Sequence, residues 1–360
     1  MKVKYSLGLL FLVFISCNLN DETKLIENAE SVEEFKGIQF YGNTQGTTYA
    51  VLVNDEIKLT HKEIDATLHQ FDLALSSYIP NSTLSKLNSH PAGVFKYNDS
   101  LKFFNRCLKQ SRLVYNLSSG DFDPTVYPLV DGWGFMKNIK QVPDSTTIDS
   151  LRALIGFTDG YHFKFNNRGE DSLFSIVKNT PNAKLDFNAL AQGLSVDVIC
   201  EMLESKGAAN YFVEIGGEVR VKGMNSDGVL WTIGIDKPVE KSNSINRILQ
   251  EIVQLDNRSI ATSGSYRKFY EKDGIKYSHT LNPKTGFPVT HSLLSATVVA
   301  NNCALADGLA TAFMVMGPKK SVKFIKSNPE LDVELFLVFI NSKGRQETYM
   351  SKGFKSIILK

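Results

Sequence analysis

Alternation of apolar and polar residues around glycine turns is the clearest pattern in the chain, and it predicts antiparallel strands. Residues 38–53 alternate on both sides of Gly46, which predicts two strands joined by a turn. Residues 210–223 form a second predicted hairpin around Gly216 and Gly217. Further strands are predicted over residues 231–236, 248–260 and 293–300, and over a last hairpin made by 333–340, the turn Asn341 to Gly344, and 347–351.

Apolar residues at three- and four-residue spacing predict four helices. The first helix begins after a capping box formed by Thr60 and Glu63, and the second covers residues 100–117. Their predicted inward-facing residues are Ile64, Leu68, Phe71 and Leu75 in the first helix, and Leu101, Phe104, Leu108 and Tyr115 in the second. The other two helices are predicted over 190–206 and 304–316, the latter closed by Gly317 and Pro318.

Two segments lack a regular pattern. Pro124 and Pro128 interrupt residues 121–135, so an ordered loop is predicted there instead of a regular helix. Residues 137–182 are predicted to be a peripheral insert with pieces of helix and strand. Because helices and mostly antiparallel strands alternate without a βαβ rhythm, the pattern predicts a single α+β domain.

The N-terminus has the pattern of an export signal. Lys2 and Lys4 precede nine mostly apolar residues at 7–15, too few to span a bilayer, and Ser16-Cys17 follows. This order resembles a bacterial lipoprotein signal; an uncleaved anchor or a plain secretory signal is the alternative. The prediction is a signal peptide over 1–16, a lipidated Cys17 with a flexible tether over 17–37, and a folded domain over 38–360, anchored in the cell envelope and facing the periplasm.

Composition narrows the function classes. The 360 residues include 40 Lys and Arg against 38 Asp and Glu, so there is no basic excess for nucleic-acid binding. Beyond Cys17, the three cysteines are an odd number without paired spacing, which argues against a disulfide framework. The sequence contains no P-loop, GxGxxG, HExxH or GxSxG motif, and its histidines lack metal-ligand spacing.

Oxygen-bearing side chains stand out in one predicted helix. Asp307 and Thr311 are four residues apart and therefore share a helical face. A carboxylate and a hydroxyl are ligands suited to Mg²⁺. The alternative is that Asp307 caps backbone N–H groups near the helix start while Thr311 only packs.

Three further segments could bind a phosphorylated or planar ligand. Asp186, in KLDFNALAQG (184–193), precedes a helix start, where either a phosphate or a capping carboxylate fits. Small hydroxyl residues at 261–267 leave backbone open to phosphate, and His279 could act as a general base, although a structural role for this histidine is equally open. The aromatic residues of 121–135 either flank a planar ring or pack the loop onto the core.

Taken together, these segments resemble the FAD:protein FMN transferases of the ApbE family. The resemblance runs in order through QGTTY (45–49), SSY (76–78), DFDPTVYPLVDGWGF (121–135), LDFNALAQG (185–193), EIGGEVRVKG (214–223), ATSGSYRKF (261–269), YSHTLNPKTGFPV (277–289) and ALADGLATAFMVMG (304–317). It implies a T-fold-like domain that moves FMN from FAD to a Thr or Ser hydroxyl of a partner flavoprotein, releasing AMP, with Mg²⁺ required.

The resemblance also implies roles for individual residues. Metal ligands would be Asp307, Thr311 and the backbone carbonyl of Ala189, and His279 and Asp307 would be catalytic. Positions that match FAD contacts are Gln45, Tyr78, Asp121, Phe122, Asp123, Asp186, Gln192 and Leu281. The sequence departs from the family at Gln45, where Met is usual, and at Gln192, where Lys or Glu is common.

The implied acceptors are subunits of membrane redox complexes, of the Na⁺-translocating NADH:quinone reductase or Rnf type. Two other functions stay open at this stage. Water could attack the same FAD pyrophosphate, which would make the protein a hydrolase that yields FMN and AMP. Alternatively, the protein could bind FAD without catalysis, although the set Asp307, Thr311 and His279 argues against simple storage. A structural surface lipoprotein fits the clustered motifs least well.

Overall fold

The computed structural model describes residues 35–136, 142–166, 173–238, 248–265, 269–272 and 275–359. The predicted signal peptide, Cys17 and most of the tether lie outside these residues. Among the described residues, no helix is long and apolar enough to cross a membrane. The helix and sheet content agrees with the predicted α+β class.

A central antiparallel sheet of eight strands organises the domain. In spatial order its strands are β1 (Ile38–Thr44), β2 (Thr47–Val53), β6 (Tyr211–Ile215), β7 (Glu218–Lys222), β10 (Arg258–Gly264), β13 (Leu293–Ala300), β14 (Glu334–Ile340) and β15 (Gln346–Met350). Smaller sheets consist of β3 (Gly93–Asn98), β5 (Leu173–Lys178) and β4 (Phe163–Asn166), of β8 (Trp231–Asp236) and β9 (Leu249–Leu255), and of β11 (Phe269–Lys272) and β12 (Ile275–Ser278). The hairpins predicted at 38–53, 210–223 and the C-terminal strands are confirmed.

The helices of the described residues surround this sheet. They are α1 (His61–Leu75), α2 (Thr83–Ser89), α3 (Phe103–Leu117), α4 (Tyr127–Gly132), α5 (Ser145–Arg152), α6 (Ala191–Ser205), α7 (Cys303–Met316), α8 (Pro318–Ser327) and α9 (Lys352–Ser356), with a short 3₁₀ turn at Pro329–Leu331. The capping box of Thr60 and Glu63 is present at the start of α1. All four inward-facing residues predicted for this helix are buried.

Both faces of the central sheet are covered around its inner strands, which are therefore buried on two sides. Along β13, Ala296, Val298 and Ala300 join the core beneath the helices, whereas Val299 joins the core on the opposite face with Trp231. This alternation follows from the two-residue period of a strand. The sheet therefore lies between a helical layer and a layer containing β8 and β9 and α9.

Some predictions on the elements were wrong. The second helix begins at Phe103, so Leu101 precedes it and is 52% exposed instead of facing inward. A helical turn over Tyr127–Gly132 lies within the predicted loop, because Pro128 falls in the first turn, where its missing N–H has no intrahelical partner to lose. Helices α2 and α8 were not predicted, and α9 follows the last hairpin.

The segment 137–182 contains the predicted helix and strand pieces, and it is less peripheral than expected. Phe157, Phe163 and Ile176 are buried in the largest hydrophobic cluster of the described residues. Strand β5 pairs with both β3 and β4, which ties this segment to residues 93–98. Residues 137–141 and 167–172 lie outside the described part.

Candidate functional site

Asp307, in the second turn of α7, faces the start of a neighbouring helix. Its carboxylate Oδ2 accepts a hydrogen bond from the backbone N–H of Gly193 at 3.0 Å, and Gly193 lies in the first turn of α6. The alternative that Asp307 caps its own helix is wrong, because Asn302 is the N-cap of α7 and accepts from the N–H of Leu305. Asp307 instead places a buried negative charge at the N-terminus of α6, where the helix dipole favours it.

A glycine allows this close approach of the two helices. A Cβ at Gly193 would lie 2.4 Å from the carbonyl oxygen of Cys303 and 2.8 Å from Cβ of Asp307. The start of α7 is fixed by Asp197 of α6, whose carboxylate accepts from the N–H groups of Cys303 and Ala304, each at 2.9 Å. Arg220 of β7 pairs with the same carboxylate at 2.9 Å. The position of Asp307 is therefore held by contacts at both helices and by the sheet.

Thr311 lies one turn beyond Asp307 in α7 and contacts the ATSG segment, residues 261–264. Its Oγ1 is 3.2 Å from Oγ of Ser263, near the end of β10. The segments 261–264 and 304–317, separate in the sequence, thus meet through two hydroxyl groups. Ala189 precedes α6, and its neighbour Leu190 contacts α7: a Cβ at Gly308 would lie 3.1 Å from Cδ1 of Leu190.

The donor set fits a magnesium ion. Among the described residues, no three His, Cys, Asp or Glu side chains are close enough to form a metal site by themselves. One carboxylate with a hydroxyl nearby is still adequate for Mg²⁺, which keeps waters and takes substrate phosphate oxygens as ligands. Burial raises the pKa of Asp307 to about 7, and the Gly193 N–H offsets this only in part. A cation beside this carboxylate would compensate for the loss of hydration.

Two tight turns meet beside Gln192 at the same end of the sheet. Gln45 and Gly46 both have positive φ in the turn between β1 and β2, and Gly216 has φ 68° in the turn between β6 and β7. A Cβ at Gly216 would lie 2.5 Å from Nε2 of Gln192 and 3.1 Å from Cγ2 of Thr47. Gln45 Nε2 is buried and has no hydrogen-bond acceptor among the described residues. The turns of QGTTY and EIGGE and the start of α6 are thus adjacent.

Asp186 connects this region with two loops. Its backbone N–H donates to the carbonyl of Pro124 at 2.7 Å, and its carboxylate accepts from the N–H of Asn188 at 2.8 Å. Asp186 therefore closes a local turn instead of capping α6, whose N-cap is Leu190. The pKa of the buried Asp186 carboxyl is raised by its burial.

Tyr78 lies close to Asp186. Burial raises the pKa of Tyr78, and the negative charge of Asp186 adds to the effect. Its side chain is nevertheless 68% exposed, so an aromatic ring stands at the surface beside a buried carboxyl. Nδ2 of Asn188 is 3.5 Å from Oγ of Ser77, which connects the same two segments.

The predicted FAD contacts at 121–123 have distinct environments. Asp121 pairs with Lys284 at 2.6 Å, which ties this loop to the NPKTG turn. Phe122 is buried in the main core. The carboxylate of Asp123 accepts from both the N–H and the hydroxyl of Thr125, and burial raises its pKa to about 6. The side chains of Phe122 and Asp123 therefore hold the loop, and the predicted contact of this stretch with FAD stays a prediction.

The NPKTG turn also packs against the aromatic loop. Leu281 is buried with Leu129 and Trp133, and the indole N–H of Trp133 donates to the carbonyl of Gly286 at 2.8 Å. The loop 121–135 thus packs a neighbouring turn as well as bordering the site. His279 follows β12 and is partly buried, and its predicted role as a base stays a prediction.

Some residues of this region were missed by sequence reasoning. Lys284 was considered part of a turn, and its pairing with Asp121 emerges only from the fold. Lys178 is fully buried, and its ammonium group donates to the carbonyls of Leu87, Asn88 and His90 at 2.8 to 3.1 Å. A lysine at an alternate strand position gave no sequence signal for burial, since such positions usually face solvent.

Comparison with known proteins supports the resemblance to the ApbE family. The family model described as the ApbE family matches residues 45–335. The FAD:protein FMN transferase of Vibrio cholerae is 34% identical over 330 residues, covering 90% of this chain and 93% of the relative. The FAD:protein FMN transferase of Haemophilus influenzae is 32% identical over 336 residues, covering 90% of this chain and 92% of the relative.

A solved structure agrees at the level of the fold. The flavin transferase ApbE from Vibrio cholerae superimposes with a TM-score of 0.77 at 32% sequence identity. The match covers 90% of this chain and all of that chain. The match to the family model, residues 45–335, includes every segment that forms the site described above. The chain therefore belongs to the ApbE family.

Proposed function

We propose that the protein transfers the FMN part of FAD to a Thr or Ser hydroxyl of a partner flavoprotein, with release of AMP. One observation carries this proposal: the start of α6 brings Asp307, Thr311 and Ser263 to the same end of the sheet as the turns at Gln45 and Gly216. A pyrophosphate needs a cation and backbone N–H groups, and a helix N-terminus beside a buried carboxylate provides for both. The names of the relatives support the same activity.

The proposed reaction is a phosphoryl transfer. The acceptor oxygen forms a bond to the FMN phosphorus, and the bond from that phosphorus to the bridging oxygen breaks. AMP leaves with the bridging oxygen, and the hydroxyl proton passes to a base, for which His279 is the candidate. Asp307, Thr311 and the carbonyl of Ala189 would hold Mg²⁺, which neutralises charge on the phosphate oxygens. Positioning of the two substrates supplies much of the remaining rate.

The proposed FAD contacts divide according to their surroundings. Tyr78 offers an exposed ring for the planar isoalloxazine, and Gln45 offers a buried amide that has no acceptor among the described residues. Gln192, Asp186 and the backbone near Asp121 and Leu281 border the rest of the site. A neutral Gln192 gives no charge to the ligand, so the phosphates depend on the helix N-terminus and the cation.

The N-terminal sequence supports a proposal for location. A charged start, a short apolar stretch and Ser16-Cys17 are the pattern of a lipoprotein signal, so Cys17 would carry the lipid in the cell envelope. The acceptors would be flavoprotein subunits of membrane redox complexes of the Na⁺-translocating NADH:quinone reductase or Rnf type. Replacing Cys17 by Ser should release the protein from the membrane fraction; retention of the variant there would contradict lipid anchoring.

The test incubates the domain from residue 35 onward with FAD and an Rnf-type acceptor domain, with Mg²⁺ and after chelation. Flavin fluorescence of the acceptor band in a denaturing gel, lost on chelation, is the expected result. FMN and AMP without a labelled band would indicate the hydrolase. Bound FAD without either product would indicate a binding protein. Full transfer activity of the His279→Ala variant would contradict the role of His279 as the base and would leave the other parts of the proposal unchanged.

A further inference from the structure

Helix α2 lies between the two segments of the candidate FAD site that carry Tyr78 and Asp186. Its N-terminus follows the loop that contains Tyr78, and its C-terminus contacts the segment that begins at Leu185. Two of its own side chains, Leu84 and Leu87, are buried in the main core. The helix is therefore fixed in the core and attached to the site at both ends.

The N-terminal attachment is made by Ser82, the fully buried N-cap of α2. Its Oγ accepts from the N–H of Ser85 at 2.9 Å and donates to the carbonyl of Ser76 at 2.6 Å. Oγ of Ser76 in turn accepts from the N–H groups of Tyr78 and Ile79, at 3.1 and 3.2 Å. These bonds close the loop before α2 on itself and fix the backbone that carries the exposed ring of Tyr78.

The C-terminal attachment is made by Asn88, a buried amide that binds both backbone groups of Leu185. Its Nδ2 donates to the carbonyl of Leu185 at 2.8 Å, and its Oδ1 accepts from the N–H of Leu185 at 2.7 Å. The next residue is Asp186, whose N–H donates to the carbonyl of Pro124 at 2.7 Å. Because one side chain satisfies both backbone groups, the segment cannot shift along α2 without losing two buried hydrogen bonds.

The buried Lys178 fixes the end of α2 that carries Asn88. Its ammonium group donates to the carbonyls of Leu87, Asn88 and His90 at 3.1, 2.9 and 2.8 Å. These are carbonyls that the end of a helix leaves without intrahelical donors. Lys178 is the last residue of β5, the middle strand of its three-stranded sheet. The lysine therefore ties the C-terminal end of α2 to that sheet.

We infer that Ser82 and Asn88 are positioning residues of the candidate FAD site, because α2 sets the distance between the two segments that they hold. This inference rests on the proposed function, in which both segments contact FAD. Neither side chain needs to touch FAD, since their bonds go to the backbone. A separation fixed in advance lowers the cost of ordering the two segments when FAD binds. Ser82 and Asn88 are six residues apart, roughly 9 Å along the helix, so α2 itself must connect their effects.

The test is a double-mutant cycle on the affinity of the protein for FAD. The variants are Ser82→Ala, Asn88→Ala and the double variant, and quenching of flavin fluorescence gives the Kd. Asn210→Ala is the matched control, because its amide likewise joins two segments: Nδ2 donates to Asp55 and Oδ1 accepts from the N–H of Met224, each at 2.9 Å. Asn210 precedes β6, at the end opposite to the Gly216 turn. Denaturant titration gives the free energy of unfolding of every variant.

Each single variant should raise the Kd for FAD about fivefold. The double variant should raise it by about the same factor and not by the roughly 25-fold of independent effects, because either change alone already frees the two segments from each other. The KM for FAD should rise in parallel, whereas kcat and the KM for an Rnf-type acceptor domain should change by less than about twofold. Asn210→Ala should leave the Kd for FAD unchanged, even at an equal loss of stability.

An unchanged Kd for FAD in both single variants would overturn the inference and leave the proposed function intact. Effects that multiply in the double variant would also overturn it, because they would show that the two ends act separately. If Asn88→Ala fails to fold, Ser82→Ala and Asn210→Ala still decide, and an equal Kd for FAD in these two would overturn the inference. The expected Kd values in a protein that transfers no flavin would uphold the positioning roles and contradict the proposed function.

Discussion

At the scale of single residues, Asp307 combines two roles in one carboxylate. One oxygen accepts from the Gly193 N–H, and the buried group is suited to a cation that reduces the cost of its burial. Asp307→Asn keeps the shape and an acceptor for Gly193 but removes the charge. We expect transfer to fall by at least about a hundredfold. Melting temperature without Mg²⁺ should be unchanged or higher; a large drop would mean that the charge stabilises the fold.

Gln45 is a second residue whose side chain could bind a ligand, because its amide N–H group is buried without a hydrogen-bond acceptor among the described residues. Its positive φ holds it in the turn. Gln45→Met removes the cost of an unsatisfied donor, so the free energy of unfolding without FAD should rise by about 1 kcal/mol. The stabilisation on adding FAD should shrink, because the proposed hydrogen bond to the flavin would be lost. Thermal unfolding with and without FAD measures both effects; an unchanged response to FAD would contradict the contact.

Asp72 predicts a pH dependence of stability. Burial raises the pKa of Asp72 to about 6, although the charge of His69 opposes this, and Asp65 and His61 lie on the same face of α1. Between pH 4 and 6 the native state binds more protons at this group than the unfolded state, so its contribution to stability decreases as pH rises. Asp72→Asn should therefore melt higher than the wild type at pH 7 and nearly equally at pH 4. Equal melting temperatures at both values would contradict the raised pKa.

At the scale of elements, the contact of α6 with α7 decides whether the site forms. A Cβ at Gly193 would meet backbone at 2.4 Å, whereas the nearest atoms to a Cβ at Gly308 would be side-chain carbons of Val114 at 2.9 Å and Leu190 at 3.1 Å. We expect Gly193→Ala to lower the free energy of unfolding by about 3 kcal/mol. Gly308→Ala, the matched control, should change it by less than about 1 kcal/mol, since better helix propensity offsets the contact. Denaturant titration compares them; equal effects would show that the helices can separate.

The sequence predicts local elements better than their assembly. Hairpins with Gly turns, the capping box of α1 and the buried strand β13 follow from nearest-neighbour patterns and are confirmed. The prediction that Leu101 faces inward was wrong, because an apolar residue just before a helix start fits the same periodicity as the residues inside the helix. The Lys284–Asp121 pair was missed because it joins residues 163 positions apart. Such contacts depend on chain topology, which periodicity does not encode.

At the scale of the whole molecule, the central sheet brings the site segments together at one end. The turns after β1 and β6 and the end of β10 lie at that end because antiparallel neighbours reverse direction at each turn. Helices α6 and α7 then supply Gln192 and Asp307 from the layer above. Several of the eight motifs, which are scattered over some 270 residues, thus come together at this end of the sheet. That these motifs bind one ligand is implied by the resemblance to the family and stays a prediction, because no single motif establishes it.

The central claim is transfer of FMN to a protein hydroxyl, and intact-mass measurement of the acceptor tests it most directly. An Rnf-type acceptor domain is incubated with the protein, FAD and Mg²⁺, beside a variant whose target Thr is replaced by Ala. The account predicts an acceptor heavier by one FMN less one water, with one AMP released for each acceptor modified. The Thr-to-Ala acceptor and the Asp307→Asn enzyme should give no mass change. An unmodified acceptor in the presence of released AMP would contradict the transferase and leave a hydrolase.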